Sequence, residues 1–285
     1  MEIEKIGVVG AGQMGSGIAE VALVSGFHVV MRDINPEVIG RGRRRIESDL
    51  ERQVGKGKMA AEVKRTVLER LSTTTSMDDF KDCDLVVEAA VENVPLKGEV
   101  FRKLDEVTRP ESILASNTSS ISITRIASAT KRPERVIGLH FFNPAPVMKL
   151  IEVVRGLATS AETFRVAREW SLKLGKTPIE ANDFPGFISS RLLFSFMNEA
   201  IYALYEGLGK PEDIDAIMKM GANHPMGPLE LADYVGLDTT LSVMSVLQEA
   251  FGDKYRPCPL LAKYVEAGYL GRKAGRGFYT YGEKR

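Results

Sequence analysis

The chain is poor in the residues that usually advertise a site: across 285 residues it has two cysteines, three histidines, one tryptophan and no net charge. Cys83 and Cys258 are far apart and outside any Cys-x-x-Cys spacing. That excludes a disulfide framework and a thiolate zinc site, and two structural thiols in a reducing compartment are the expectation. Thirty-eight basic residues cancel thirty-eight acidic ones, so no global field draws the protein to nucleic acid or to an anionic membrane. No apolar run approaches the roughly 20 residues of a spanning helix. Strand-like text starts at "KIGVVG", close behind Met1, with no room for a targeting segment, and the cytoplasm is the expected location.

What is present is an ordinary apolar content of 44%, enough for a full core in one large or two moderate domains. Short apolar strands ("KIGVVG", "FHVVMRD", "DLVVEA", "SILAS", "RVIGLHF", "KLIEVVR") alternate with helical patterns up to about residue 183. Such alternation predicts an α/β domain with a parallel sheet and crossover helices. After "ANDFPGF" the text turns helical, as in "FISSRLLFSFMNEAIYALYEGLG", "PEDIDAIMKMG", "GPLELADYV" and "LDTTLSVMSVLQEAF". The break at "DFP" predicts a boundary between residues 1–184 and an all-helical 185–285.

The segment "GVVGAGQMGSG" supplies G-x-G-x-x-G as Gly10, Gly12 and Gly15. It follows a strand, opens a helix, and precedes a second strand that ends at Asp33. In that context Gly10 makes the tight turn, Gly12 lets a pyrophosphate approach the backbone, and Gly15 lets helix and strand pack. Asp33 suits a ribose 2′-hydroxyl and repels a 2′-phosphate, which favours NAD, although the adjacent Arg32 is a residue type that accommodates that phosphate. Basic residues cluster after the second strand, in "RGRRR" at 41–45, Arg52, Lys56, Lys58, Lys64 and Arg65. By itself this run reads as a solvated helix face; beside a second anionic ligand it reads as a phosphate-binding surface.

His140 ends an apolar strand and Glu152 lies within the next one. On residue type alone, each has a plain reading, a hydrogen-bonded core histidine and a carboxylate at a strand rim; His28 and His224 keep the core reading. "ASNTSS" puts Asn117 to Ser120 just past a parallel strand, where open α/β sheets bind ligands. As an isolated run it is an ordinary turn or cap.

Taken together, "GAGQMGSGIA", "DLVVEAAVEN", "ASNTSS", "HFFNPAPVMKLIEVV", "PGFI", "NHPMGPLELADYVGLDT" and "LGRKAGRGFYTY" resemble the L-3-hydroxyacyl-CoA dehydrogenase family, most closely its short-chain 3-hydroxybutyryl-CoA branch. The resemblance covers essentially the whole chain. It implies a Rossmann-type N-terminal domain, a helical C-terminal substrate and dimerisation domain forming a homodimer, and reversible NAD-dependent oxidation of a 3-hydroxyacyl-CoA to the 3-ketoacyl-CoA. It further implies His140 as general base paired with Glu152, and Ser119 at the substrate oxygen. Implied cofactor contacts are Gly10, Gly12, Gln13, Met14, Gly15, Asp33, Glu92, Lys97, Asn117, Ser119, Asn143 and Lys273; Lys56 is implied for coenzyme A. Ser190 stands where the family has an asparagine that helps hold the substrate carbonyl, and its shorter side chain puts the usual substrate in question. Two other classes stay open: a hydroxy-acid or sugar-acid dehydrogenase that uses no coenzyme A, and a non-catalytic NAD-binding protein.

Overall fold

The computed structural model describes residues 2–282 and divides into two compact units, the first ending at Asp183 and the second starting at Phe184. In the first, eight strands form one sheet in the order β3-β2-β1-β4-β5-β6-β7-β8: β1 (Lys5–Val9), β2 (His28–Arg32), β3 (Leu71–Thr74), β4 (Leu85–Glu88), β5 (Ile113–Ser116), β6 (Val136–Phe141), β7 (Leu150–Arg155) and β8 (Thr177–Asn182). The first six run parallel, in the doubly wound order of a Rossmann sheet. Apolar residues on both faces lie buried, Ile6, Val8, Leu85, Val87 and Ile137 on one and Val9, Val86, Leu114 and Val136 on the other, as a doubly covered parallel sheet requires.

The parallel sheet is as expected, with one antiparallel pairing at its far edge. β7 pairs antiparallel with β6, and β8 runs parallel to β7. The connection 142–149, which contains a cis Asn143–Pro144 bond, holds no helix, and a parallel return needs a crossover of a dozen residues or more. Two strands were not anticipated. β3 has polar residues at three of its four positions, and β8 is largely exposed with Pro178 in it, a composition suited only to a sheet edge.

The crossover helices that matter to function are α1 (Gln13–Val24), α2 (Pro36–Gly55), α3 (Ala61–Glu69), α4 (Val94–Val107), α5 (Ile123–Ala127) and α6 (Ala161–Lys173). α2 begins where the sequence says it should, with Asn35 accepting from the Glu37 amide at 2.8 Å and Pro36 at the first helical position. Trp170 on α6 meets Phe141 edge-on at 6.2 Å between ring centres, which braces the end of β6 from below.

The second unit packs α7 (Ser189–Tyr205), α8 (Pro211–Gly221), α9 (Pro228–Val235), α10 (Leu237–Phe251) and α11 (Pro259–Glu266) around Met197, Ile201, Leu229, Leu237, Met244 and Leu261. Two buried aspartates organise it. Asp215 accepts from the Leu229 and Glu230 amides at the start of α9, and Asp233 accepts from the Phe278 and Tyr279 amides and the Tyr281 hydroxyl. Together they pin down the tail that carries Lys273. Both cysteines are buried thiols, and burial pushes that of Cys83 up to about 12. No described helix is long and apolar enough to cross a membrane.

Candidate active site

The parallel strands β1, β2, β4, β5 and β6 all end on one edge of the sheet, and their last residues or the loops just beyond carry Gly10, Asp33, Glu88, Asn117 and His140. At the first of these ends Gly10 has φ +101°, and a Cβ there would stand 2.6 Å from the Ala89 carbonyl oxygen. Gly15 abuts the Gly10 carbonyl, whereas a Cβ on Gly12 would meet only open space. Gly12 also caps α1 without a side-chain hydrogen bond, and the first turn of α1, with Gln13 and Met14, carries no acid. An open, uncapped helix start of this kind fits a pyrophosphate, whose charge the aligned amides stabilise. Asp33 accepts from the Ala11 amide through Oδ2 at 2.9 Å and from the Ile34 amide through Oδ1 at 2.8 Å. Its carboxylate is thus fixed beside the glycine turn. Arg32 donates instead to the Thr75 carbonyl at 3.1 Å.

His140 and Glu152 are direct cross-strand partners in the β6–β7 register. The antiparallel turn at 142–149, rather than sequence proximity, brings them together. Nδ1 of His140 lies 2.7 Å from Oε2 of Glu152, with side chains 11% and 2% exposed. A proton on Nδ1 shared with that carboxylate puts the lone pair on Nε2, so the imidazole is oriented as a proton acceptor. Asn117 supports the same strand end, its Oδ1 accepting from the Phe141 amide at 2.8 Å. Gln13 donates to Asn143 at 2.9 Å, linking the glycine loop to the turn after β6.

Glu92 reaches the loop after β5 through one oxygen. Oε1 accepts from the Thr118 hydroxyl, from the Ser119 amide at 3.1 Å and from Ser120 Oγ at 3.2 Å, while Oε2 lies 3.3 Å from Lys97 Nζ. Burial opposes its charge, but Lys97 and these hydrogen bonds outweigh that, so the carboxyl ionises below its ordinary range. Lys97 is 1% exposed, with its ammonium on Glu88.

Lys56 caps the end of α2 and is exposed. Of the basic run around it, Arg43, Arg52 and Lys64 are already paired with Glu47, Asp49 and Glu51. A cavity of about 460 Å³ lined by Arg43, Lys64 and Arg65 lies between α2 and α3. Ser190 is buried in α7, and Lys273 is 2.6 Å from Asp238. The core reading of His28 is corrected: it stands exposed at the start of β2, where it pairs in register with Lys5. His224 is half-buried against the Phe196 ring.

Several functional neighbours escaped the sequence reading. Gly42 lets α2 cross the glycine loop, since a Cβ there would be 2.5 Å from the Ala11 carbonyl oxygen. Lys176 donates to the Ala145 and Met148 carbonyls at 2.7 Å and so ties down the turn after β6. Asp183 holds the start of α5, accepting from Ser122 Oγ and from the Ile123 and Thr124 amides. Only Glu88 left a signal, as a charge closing an otherwise apolar strand.

Comparison with known proteins follows the same division. The family described as "3-hydroxyacyl-CoA dehydrogenase, NAD binding domain" matches residues 5–184, and "3-hydroxyacyl-CoA dehydrogenase, C-terminal domain" matches residues 186–281. The chain belongs to the 3-hydroxyacyl-CoA dehydrogenase family. Among its relatives, the 3-hydroxybutyryl-CoA dehydrogenase of Bradyrhizobium diazoefficiens is 56% identical over 280 residues, 98% of this chain and 96% of that protein. The crystal structure of the (S)-3-hydroxybutyryl-CoA dehydrogenase from Ralstonia eutropha is similar with a TM-score of 0.96 and 49% identity, over 99% of this chain and all of that one. A diketoreductase that acts on dicarbonyl compounds shares the architecture at a TM-score of 0.85 and 30% identity, again over 99% of this chain and 100% of that one.

Proposed function

We propose that the protein is a 3-hydroxybutyryl-CoA dehydrogenase, oxidising a short-chain L-3-hydroxyacyl-CoA to the 3-ketoacyl-CoA with NAD, and catalysing the reverse. The observation that carries this reading is the His140–Glu152 pair at the ligand-binding edge of a dinucleotide sheet. His140 Nε2 takes the proton of the substrate 3-hydroxyl, and Glu152, at 2.7 Å from Nδ1, stabilises the imidazolium formed. NAD, when bound, accepts the hydride from C3. In the reverse direction the same imidazolium returns its proton to the carbonyl oxygen.

The remaining residues orient the reactants. Gly10, Gly12, Gln13, Met14 and Gly15 present the glycine turn to the pyrophosphate, and Asp33 selects the ribose with two hydroxyls. Ser119 hydrogen-bonds the reacting oxygen, on a loop held by Glu92. Asn117, which accepts from the Phe141 amide next to His140, and Asn143, which accepts from Gln13, line the nicotinamide end of the cofactor site. Ser190 replaces a carboxamide donor with a hydroxyl and sets the preferred acyl group. Lys56 meets a coenzyme A phosphate as a flexible point charge.

In this reading residues 1–184 bind NAD, and residues 185–285 complete substrate binding and form a homodimer in the cytoplasm. Leu192, Leu208, Ile217 and Met220, exposed on or next to α7 and α8, suit burial against a second subunit. The diketoreductase likeness keeps a substrate without coenzyme A as the second reading. Initial rates with NADH and either acetoacetyl-CoA or free acetoacetate decide between them: rapid reduction of the thioester alone supports the first, and equal rates on both support the second.

A further inference from the structure

Glu88 has no part in the chemistry above, yet it is fully buried at the end of β4, between Val9 of β1 and Ser116 of β5. A carboxylate in that position is costly unless it is fully engaged. Oε1 accepts from the Ala90 amide and from Lys97 Nζ, both at 2.7 Å, and Oε2 accepts from Lys97 Nζ at 2.9 Å and Ser116 Oγ at 2.7 Å. Two routes run from it to the loop after β5. Along one, Lys97 lies 3.3 Å from Oε2 of Glu92, whose Oε1 takes the Thr118 hydroxyl, the Ser119 amide and Ser120 Oγ. Along the other, Ser116 Oγ accepts from the Thr118 amide at 3.3 Å. Thr118 Oγ1 in turn accepts from the amides of Ser120 and Ile121, so one hydroxyl organises the whole turn.

We infer that Glu88 is a positioning residue for the Ser119 loop. By gripping Lys97 with both oxygens it fixes the ammonium against one oxygen of Glu92 only, and the other oxygen stays turned toward the loop. Without that grip the ammonium moves onto Glu92 as a bidentate partner and competes with the Ser119 and Ser120 donors. A well-packed apolar pair in place of Glu88 and Lys97 would cost no desolvation, so the charges serve orientation rather than stability.

The inference rests on the dehydrogenase reading in one respect, that the Ser119 loop faces the nicotinamide and the substrate. Its test compares dissociation constants for NADH and for ADP-ribose, which lacks the nicotinamide, in Glu88→Gln, Lys97→Met, the double variant and Ser116→Ala. Glu88→Gln is expected to weaken NADH by about tenfold and ADP-ribose by less than about twofold, with kcat on acetoacetyl-CoA falling in step with NADH affinity. The double variant is expected to be no worse than Lys97→Met, because the carboxamide still accepts from Ser116 Oγ and the only route it loses is the one through Lys97. If Glu88→Gln does not fold, the double variant and Ser116→Ala carry the test, the latter with a loss of about threefold confined to NADH. Equal losses for both ligands, in proportion to a lowered melting temperature, would overturn the inference and make Glu88 a core ion pair. So would unchanged NADH binding. Failure of the dehydrogenase reading looks different: native protein that binds NADH but turns over no acyl-CoA.

Discussion

Replacing Glu152 by Gln keeps the side chain's size and removes only its charge, so it isolates what the carboxylate does for His140. The two groups lie 2.7 Å apart, and Glu152 is 2% exposed, so water does not substitute for it. A hydrogen bond between charged groups in such surroundings is worth roughly 1.5–3 kcal/mol. Lost from the transition state, that is a factor of about 10–150 in rate. A second loss follows if the new carboxamide turns its NH₂ toward Nδ1, because the imidazole proton then moves to Nε2, where the base must act. An equivalent tautomer error in the serine protease triad costs about 10⁴-fold. We therefore expect kcat to fall by about 10²–10⁴ with little change in the Michaelis constants, since the charge matters only once the proton has moved. NADH consumption with acetoacetyl-CoA, measured across pH, is the assay. A loss smaller than about threefold at every pH would refute the reasoning, and a retained rate with only a displaced pH profile would reduce Glu152 to setting the protonation of the imidazole.

Other predictions test separate parts of the molecule. Asp33, fixed by the Ala11 amide, should make NAD bind at least about tenfold more tightly than NADP; Michaelis constants for the two cofactors measure this, and Asp33→Asn should narrow the gap. Ser190→Asn should raise turnover on a short 3-hydroxyacyl-CoA, by up to about a hundredfold if an oriented donor worth about 2.7 kcal/mol is restored; no gain across an acyl-CoA series would show the departure to be neutral. Glu20 is buried on α1 and its carboxyl is raised from 4.5 to about 7 by burial first and by Asp49 second. The folded protein thus holds a proton that the unfolded chain releases, so this group's contribution is complete below 4.5 and is lost as pH rises through about 7. Glu20→Gln, which still accepts from Gln53, should melt higher than the native protein above that pH, by about 1–3 kcal/mol of stability, and thermal melts across the window check it.

The sequence by itself determined the elements whose logic is local. The glycine turn, Asp33 at the end of β2 and the change from alternating to helical text at "DFP" depend on residues within a few tens of positions of one another. Their conformational requirements are written in residue type, as with Gly10, whose φ of +101° only glycine adopts readily. The long block around His140 also carries the family resemblance, which implies His140 as base and Glu152 as its partner. Tertiary structure decided what register and burial control. The antiparallel return of β7 sets Glu152 opposite His140, a placement that a single-residue slip would reverse by sending the side chain to the other face. The edge strands β3 and β8 owe their existence to neighbours rather than to their own polar residues. The roles of Glu88, Lys176 and Asp183 likewise come from partners 9 to 61 residues away. A buried charge acquires its meaning from the groups that surround it, and only the folded chain brings those groups together.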